Sequence, residues 1–121
     1  MYIKSFKELI VWQRGVELAK EIYSATKDFP AKEAFGLQSQ MCRAAVSIPS
    51  NIAEGHRRGT KKDFVHFLRM ADGSAAELET QVLIAESVHS KIDYRRSKTL
   101  LEEVQKMLAS MIRKVDLNAK R

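Results

Sequence analysis

Two carboxylate–histidine motifs are the residues of this sequence that come nearest to a metal site. Asp63 precedes His66 by three positions, and Glu86 precedes His89 by three. A di-iron site in a helical bundle needs one such motif on each of two helices and a glutamate from each of the other two. Both motifs fall on one predicted helix, more than about 30 Å apart at the helical rise per residue. We therefore predict no metal site and no cofactor.

Candidate nucleophiles and catalytic side chains are also poorly supported. Cys42 is the single cysteine and has no histidine near it in the sequence. It therefore forms neither an internal disulfide nor a cysteine-based zinc cluster. Asn51 and Glu54 follow Pro49, which leaves a helical carbonyl without its donor, and an asparagine amide at that point can repair local hydrogen bonding. We predict no catalytic residue and expect that the protein is not an enzyme.

A basic cluster at residues 56–62 offers a different chemistry. It reads His56-Arg57-Arg58-Gly59-Thr60-Lys61-Lys62, with four basic residues and no acidic one. The whole chain carries 21 basic and 15 acidic residues, a net charge of +6. Such a balance attracts phosphate polyanions. Because no aromatic residue is interleaved, we expect contacts to phosphates rather than stacking on bases.

The elements that must position these residues are helices. Of the 121 residues, 45% are hydrophobic, which is enough for one globular domain spanning 1–121. Apolar residues recur at spacings of three and four, and alternation with period two is absent. Four helices joined by short links predict an all-α, antiparallel up-down-up-down four-helix bundle. Pro49 lies inside the second helix, where we expect a kink rather than a break.

Local signals predict where these helices begin and end. Asp28-Phe29-Pro30 ends the first helix, because the residue before a proline avoids the helical region. A short turn through Glu33 and Gly36 precedes the second helix. Thr60 is the expected N-cap of the third helix, with Asp63 three residues later. The fourth helix has a heptad-like seam made by Leu101, Val104, Leu108, Met111 and Val115.

The predicted topology brings basic residues from three parts of the chain to one end. That end holds the N-terminus, the link between the second and third helices, and the C-terminus. Both ends hold four acidic residues, but the opposite end has fewer basic ones and therefore a smaller positive excess: Lys27, Lys32, Lys91, Arg95, Arg96 and Lys98. The predicted nucleic-acid-binding residues are Arg57, Arg58, Lys61, Lys62, Lys4, Lys7, Arg113 and Lys114.

Apolar residues beyond one stripe per helix predict that the chain is not a monomer. Val11, Trp12 and Ile22 widen the apolar face of the first helix, and Leu83 and Ile84 lie beside the core stripe of the third. A single bundle buries only one stripe of each helix. We therefore expect a second copy to cover these side chains.

Membrane and export signals are missing from the pattern. The longest apolar runs are far shorter than the roughly 20 residues that span a bilayer. The first eight residues contain no apolar core of a signal peptide. We expect a cytoplasmic protein with no membrane partner.

A long motif in the second helix resembles a known family. It reads Ser47-Ile48-Pro49-Ser50-Asn51-Ile52-Ala53-Glu54-Gly55, with Val11-Trp12-Gln13 upstream and Glu77-Leu78-Glu79-Thr80-Gln81 downstream. Together these segments resemble the bacterial 23S rRNA-intervening-sequence proteins. That resemblance implies a four-helix bundle that assembles into a ring-like homopentamer. It also implies kinship to the accessory protein of diversity-generating retroelements, a basic pentameric barrel that engages nucleic acid and a reverse transcriptase.

Two functions of different classes follow from the sequence. The first is a non-enzymatic homo-oligomer that binds RNA or DNA through a basic end, without strong sequence specificity. The second is a protein–protein interaction scaffold that has no nucleic-acid ligand and whose charge serves solubility. Salt-dependent binding to nucleic acid separates the two, because phosphate contacts release counterions.

Overall fold

The computed structural model describes residues 5–119, with side chains to residue 117. Within these residues the chain is all-helical and contains no strand. Short 3-10 turns cover Phe6–Glu8 and Ala31–Glu33. The four long helices are α1 (Ile10–Thr26), α2 (Leu37–Arg58), α3 (Lys61–Val88) and α4 (Arg95–Ala119).

The ends of the helices follow the local signals in the sequence. The chain leaves α1 before Pro30, and the 3-10 turn and Gly36 lead into α2. At the start of α3, the Thr60 hydroxyl accepts a hydrogen bond of 3.1 Å from the backbone N–H of Asp63. This is the predicted N-cap, which satisfies a donor that has no partner within the helix.

The four helices pack around one core in cyclic order. Each helix contacts the helices before and after it in the chain, and α1 also contacts α4. The core is filled by aliphatic side chains from all four helices, among them Leu18, Ile48, Leu78 and Leu108, each fully buried. Burying such a side chain contributes about 1.5–3 kcal/mol relative to leaving it in water.

Contacts between α2 and α3, and between α3 and α4, fix the relative heights of residues along the bundle. The hydroxyls of Ser47 and Ser74 lie 2.8 Å apart. Gly55 of α2 packs against Phe67. Between α3 and α4, Lys98 pairs with Glu86, and the side-chain amide of Gln105 donates to the carboxylate of Glu79.

Pro49 and Asn51 occupy the middle of α2, which is assigned as one continuous helix through the proline. Gly15 of α1 lies against Pro49, so that a Cβ at Gly15 would stand 3.4 Å from the proline Cβ. The side-chain amide of Asn51 donates to the carbonyl of Ser47 at 2.8 Å and to its hydroxyl at 2.9 Å. The amide therefore bonds one turn back along its own helix.

The width of the apolar face of α1 differs from the sequence-based expectation. Val11 and Ile22 are buried in the core of a single chain, so they are not left over for a second copy. Tyr23, which follows Ile22 in the sequence, is 56% exposed. By contrast, Leu83 and Ile84 of α3 are exposed as expected. Among the helices that the structure describes, none is long and apolar enough to cross a membrane.

Candidate nucleic-acid interface

The connection between α2 and α3 carries four cations, Arg57, Arg58, Lys61 and Lys62, which we call the basic corner. All four side chains are exposed. Gly59 makes the corner possible, because it adopts a left-handed conformation (φ 87°) that ends α2 and that residues with a Cβ avoid. The free N–H groups at the start of α3 add to the positive potential of the corner.

Arg58 differs from the other three cations because its side chain is held in place. Its guanidinium donates to the carboxylate of Glu54 at 2.8 Å, one turn earlier in α2. This hydrogen bond raises the pKa of Arg58 above its ordinary value. The guanidinium carbon also lies 5.0 Å from the centre of the Phe67 ring, a cation–π distance. Arg58 thus joins α2 to α3 at the corner.

Arg57, Lys61 and Lys62 take part in no ion pair within residues 5–117. The opposite end of the bundle contrasts with this. There, Arg95 pairs with Asp93, Arg96 with Glu17, and Lys98 with Glu86, at 2.8–3.1 Å. Arg95, Arg96 and Lys98 are thus locally neutralised, whereas three cations of the basic corner are open to an external anion. Lys27, Lys32 and Lys91, at the same end as Arg95, also take part in no ion pair within residues 5–117, but they are not adjacent in the sequence.

Of the glycines at positions 55 and 59, near the link between α2 and α3, only one leaves its backbone accessible to a phosphate. A Cβ at Gly55 would stand only 2.6 Å from the Cβ of Phe67, so its backbone is covered by α3. Gly59, in contrast, has no heavy atom within 4 Å of its Cβ position. Only Gly59 is accessible.

The other predicted binding residues are spread more widely than the sequence suggested. Lys7 is exposed in the first 3-10 turn, which contacts α2. Arg113 and Lys114 are exposed on α4, where nearby Asp116 lies 3.5 Å from Arg69. From this register they lie about 15 Å from Lys61 along the bundle. Lys4 lies outside the described residues.

The sequence analysis missed the contact between Glu33 and His89. The imidazole Nε2 of His89 lies 2.7 Å from the Glu33 carboxylate, and its ring packs on Phe29. This hydrogen bond holds the pKa of Glu33 below its ordinary value. The two residues are 56 positions apart, so no spacing rule indicates them. In residues 5–117, no group of three or more histidine, cysteine or acidic residues is placed to hold a metal ion.

The fold and these charges define an all-helical, four-helix protein with open cations at one helix–helix connection. The chain matches the family model of the 23S rRNA-intervening sequence protein over residues 7–110, and it belongs to that family. No curated protein matches the sequence significantly.

A solved structure with the same fold comes from Bacteroides thetaiotaomicron. It is the crystal structure of a protein with unknown function from the S23 ribosomal protein family, with a TM-score of 0.74 and 23% identity. The similarity covers 86% of this chain and 96% of the other. At this identity the similarity establishes the fold alone.

Proposed function

We propose that this protein is a non-enzymatic homo-oligomer that binds RNA or DNA through the phosphates, using the basic corner. The observation that carries the proposal is the difference between two clusters of cations, the basic corner at residues 57–62 and the cluster at residues 95–98 at the opposite end. Arg57, Lys61 and Lys62 have no ion pair within the described side chains, whereas Arg95 and Arg96 are paired with carboxylates. Binding of phosphate to a lysine that is already unpaired breaks no existing contact.

The aromatic residues near the corner support binding to phosphates rather than to bases. Phe67 lies beneath Arg58, and Phe64 stands edge-on to the ring of His56. These rings are used within the protein, so they form no platform on which bases stack. Binding by cations alone carries little sequence information. We therefore expect weak discrimination between sequences.

Self-association would increase the affinity of the protein for a long polyanion, because it brings several basic corners together. The family resemblance implies a homopentamer, and five copies of the basic corner would present twenty positive charges. Linked weak sites bind a long polyanion more tightly than one site does, because each further contact is intramolecular. The exposed apolar side chains of Tyr23, Ile84 and Phe35 support such an assembly.

The remaining parts of the proposal concern architecture, location and chemistry. We infer an antiparallel up-down-up-down bundle from the opposite order of contacts on neighbouring helices, with a kink at Pro49 where the helical hydrogen bond is lost. We place the protein in the cytoplasm. A non-enzymatic role is supported by the buried position of Cys42 and by the local hydrogen bonds of Asn51.

Anisotropy titrations of a structured RNA and of duplex DNA, at about 50 and 200 mM salt, test the function. The protein is expected to bind both, with an affinity that falls steeply with salt. The triple variant Arg57→Gln, Lys61→Gln, Lys62→Gln is expected to bind more weakly and to lose about 0.9 from the salt slope on duplex DNA for each phosphate contact removed.

The matched control is the triple variant Arg95→Gln, Arg96→Gln, Lys98→Gln, which removes the same charge from the opposite end. It is expected to change binding much less, because those cations are already paired. An equal loss in both variants would contradict the assignment of the basic corner. Circular dichroism and light scattering establish that both variants keep their helicity and their oligomer size.

A scaffold for another protein is the second candidate function. The side chain of Phe35 is 99% exposed, in the turn just before α2. Phenylalanine is among the residue types enriched at protein–protein interfaces. If no nucleic acid binds even at about 50 mM salt, this second function is favoured over the first.

A further inference from the structure

We propose that a second copy of this chain binds side by side with the first through two different surfaces. The outer stripe of α3 on one copy is seated in the groove between α1 and α2 of the next. The proposal rests on the self-association proposed above and identifies the two surfaces that form it. Each surface is apolar with a charged residue, and the two charges are opposite.

The first surface is the groove between α1 and α2, which we call the docking groove. It has a volume of about 410 Å³ and is lined by Val16, Ala19, Lys20, Tyr23, Val46 and Pro49, almost entirely through their carbon atoms. Tyr23 and Val46 are 56% and 41% exposed. Arg43 lines the continuation of the same groove beside Tyr23 and Val46. The docking groove is thus apolar with a cation at its edge.

The second surface is a row on α3, which we call the α3 stripe. It consists of Met70, Glu77 and Ile84, spaced by seven residues and therefore on one face of the helix. Met70 and Ile84 are about half exposed, and Glu77 is exposed. Within the described side chains, Glu77 takes part in no ion pair. The α3 stripe is thus apolar with an anion at its centre.

The two surfaces match in height along the bundle. Ser47 of α2 is level with Ser74 of α3, and Gly55 is level with Phe67. By the register of Ser47 and Ser74, Arg43 is level with Leu78, the neighbour of Glu77, and Val46 is level with Ala75, between Met70 and Glu77. Copies related by rotation about an axis parallel to the helices meet at equal heights. Such a rotation therefore brings Arg43 of one copy beside Glu77 of the next.

Charge identifies a second copy as the occupant and fixes its orientation. Two docking grooves facing each other would bring Arg43 against Arg43, and two α3 stripes would bring Glu77 against Glu77. Like charges in contact oppose association. When the docking groove of one copy meets the α3 stripe of the next, Arg43 pairs with Glu77 and both apolar surfaces are covered. This is a heterologous contact, which forms a ring when the rotation closes.

Charge reversal at this contact tests the proposal. The variants Arg43→Glu and Glu77→Arg, taken separately, each place like charges in the contact and are expected to weaken association by about tenfold or more in sedimentation velocity. An equimolar mixture of the two is expected to associate more strongly than either alone, because each altered charge then meets its opposite on a neighbour.

Mixing the two variants also distinguishes a contact between copies from an ion pair formed within one chain. An intramolecular pair between Arg43 and Glu77 stays broken in both variants, so mixing would not restore association. A mixture no stronger than its components overturns the proposal.

Two neighbouring apolar residues provide a matched pair of variants. Ile84 belongs to the α3 stripe, whereas Leu83, similarly exposed, lies against α4 beside Val82 and Leu101. Ile84→Asp is expected to weaken association and Leu83→Asp to leave it unchanged, with both variants helical by circular dichroism. Equal effects would contradict the assignment.

A wild-type chain that is monomeric at tens of micromolar would overturn the proposed self-association itself. An oligomer whose association is unchanged in all these variants would overturn only the proposed surfaces.

Discussion

The carboxylate of Glu33 and the imidazole of His89 meet at 2.7 Å and join the two connections at one end of the bundle. Glu33 ends the 3-10 turn before α2, and His89 follows the last residue of α3. The hydroxyl of Tyr94, just before α4, donates to the backbone carbonyl of His89 at 2.9 Å. Segments preceding α2 and α4 are therefore both fixed to the end of α3.

The Glu33–His89 contact predicts a pH dependence of stability. Hydrogen bonding from His89 holds the pKa of Glu33 below its ordinary value of 4.5, and neighbouring Lys32 acts in the same direction. A carboxyl group whose pKa is lowered by folding stabilises the folded state above its unfolded pKa, and this contribution disappears as pH falls through the folded pKa. Glu33→Gln is therefore expected to reduce the free energy of unfolding at pH 7 and to reduce its loss below about pH 4.5.

Urea denaturation at pH 7 and pH 3 measures this effect, with His89→Gln and the double variant completing a cycle. The double variant is expected to be more stable than the sum of the single effects predicts, because both substitutions remove the same contact. Strict additivity of the two substitutions would contradict an energetic coupling between Glu33 and His89.

Substitution by alanine is expected to have opposite effects on stability at Gly55 and at Gly73. A Cβ at Gly55 would stand 2.6 Å from the Cβ of Phe67, whereas Gly73 has nothing within 4 Å. Gly55→Ala is expected to destabilise the fold by about 1–3 kcal/mol, because α2 and α3 must move apart. Gly73→Ala is expected to stabilise it by about 0.5–1 kcal/mol, because alanine is the better helix former. Thermal denaturation of both variants measures the difference, and a neutral Gly55→Ala would contradict the close packing.

Features that depend on local sequence were predictable. Thr60 and Asp63 lie three residues apart and form the N-cap that begins α3. The proline after Phe29 ends the first helical segment. Both effects arise within one turn of the backbone, so the residues themselves determine them.

Features that depend on how the helices rotate against each other were not predictable. Ile22 and Tyr23 are adjacent in the sequence, yet the first is buried and the second exposed. A periodic pattern gives the direction of an apolar face but not how much of it the neighbouring helices cover. The contact of Gly55 with Phe67 depends on packing between two helices in the same way. The basic corner itself was visible in the sequence, but the ion pairs that neutralise Arg95 and Arg96 were not.

Asp93 and Arg95 predict a carboxyl group with an unusually low pKa. The guanidinium and the backbone N–H of Arg95 both donate to the Asp93 carboxylate, which lowers its pKa from 3.8 to about 2. Its stabilising contribution is therefore complete above pH 3.8 and is lost as pH falls through about 2. Carboxyl chemical shifts followed by NMR measure this pKa. Arg95→Ala is expected to raise it part of the way to 3.8, since the backbone N–H remains.

Within the basic corner, we expect Arg58 to contribute to stability and Lys61 to contribute to nucleic-acid binding. Arg58 is paired with Glu54 and lies over Phe67, whereas Lys61 has no ion pair within the described side chains. Arg58→Gln is therefore expected to lower the melting temperature and to change nucleic-acid affinity little once the chain is folded. Lys61→Gln is expected to leave the melting temperature unchanged and to lower the affinity.

Each of the two substitutions removes one positive charge, so net charge alone predicts equal losses of affinity. Melting curves together with anisotropy titrations at two salt concentrations distinguish these outcomes, and equal losses of affinity in the two variants would show that Arg58 also contacts phosphate.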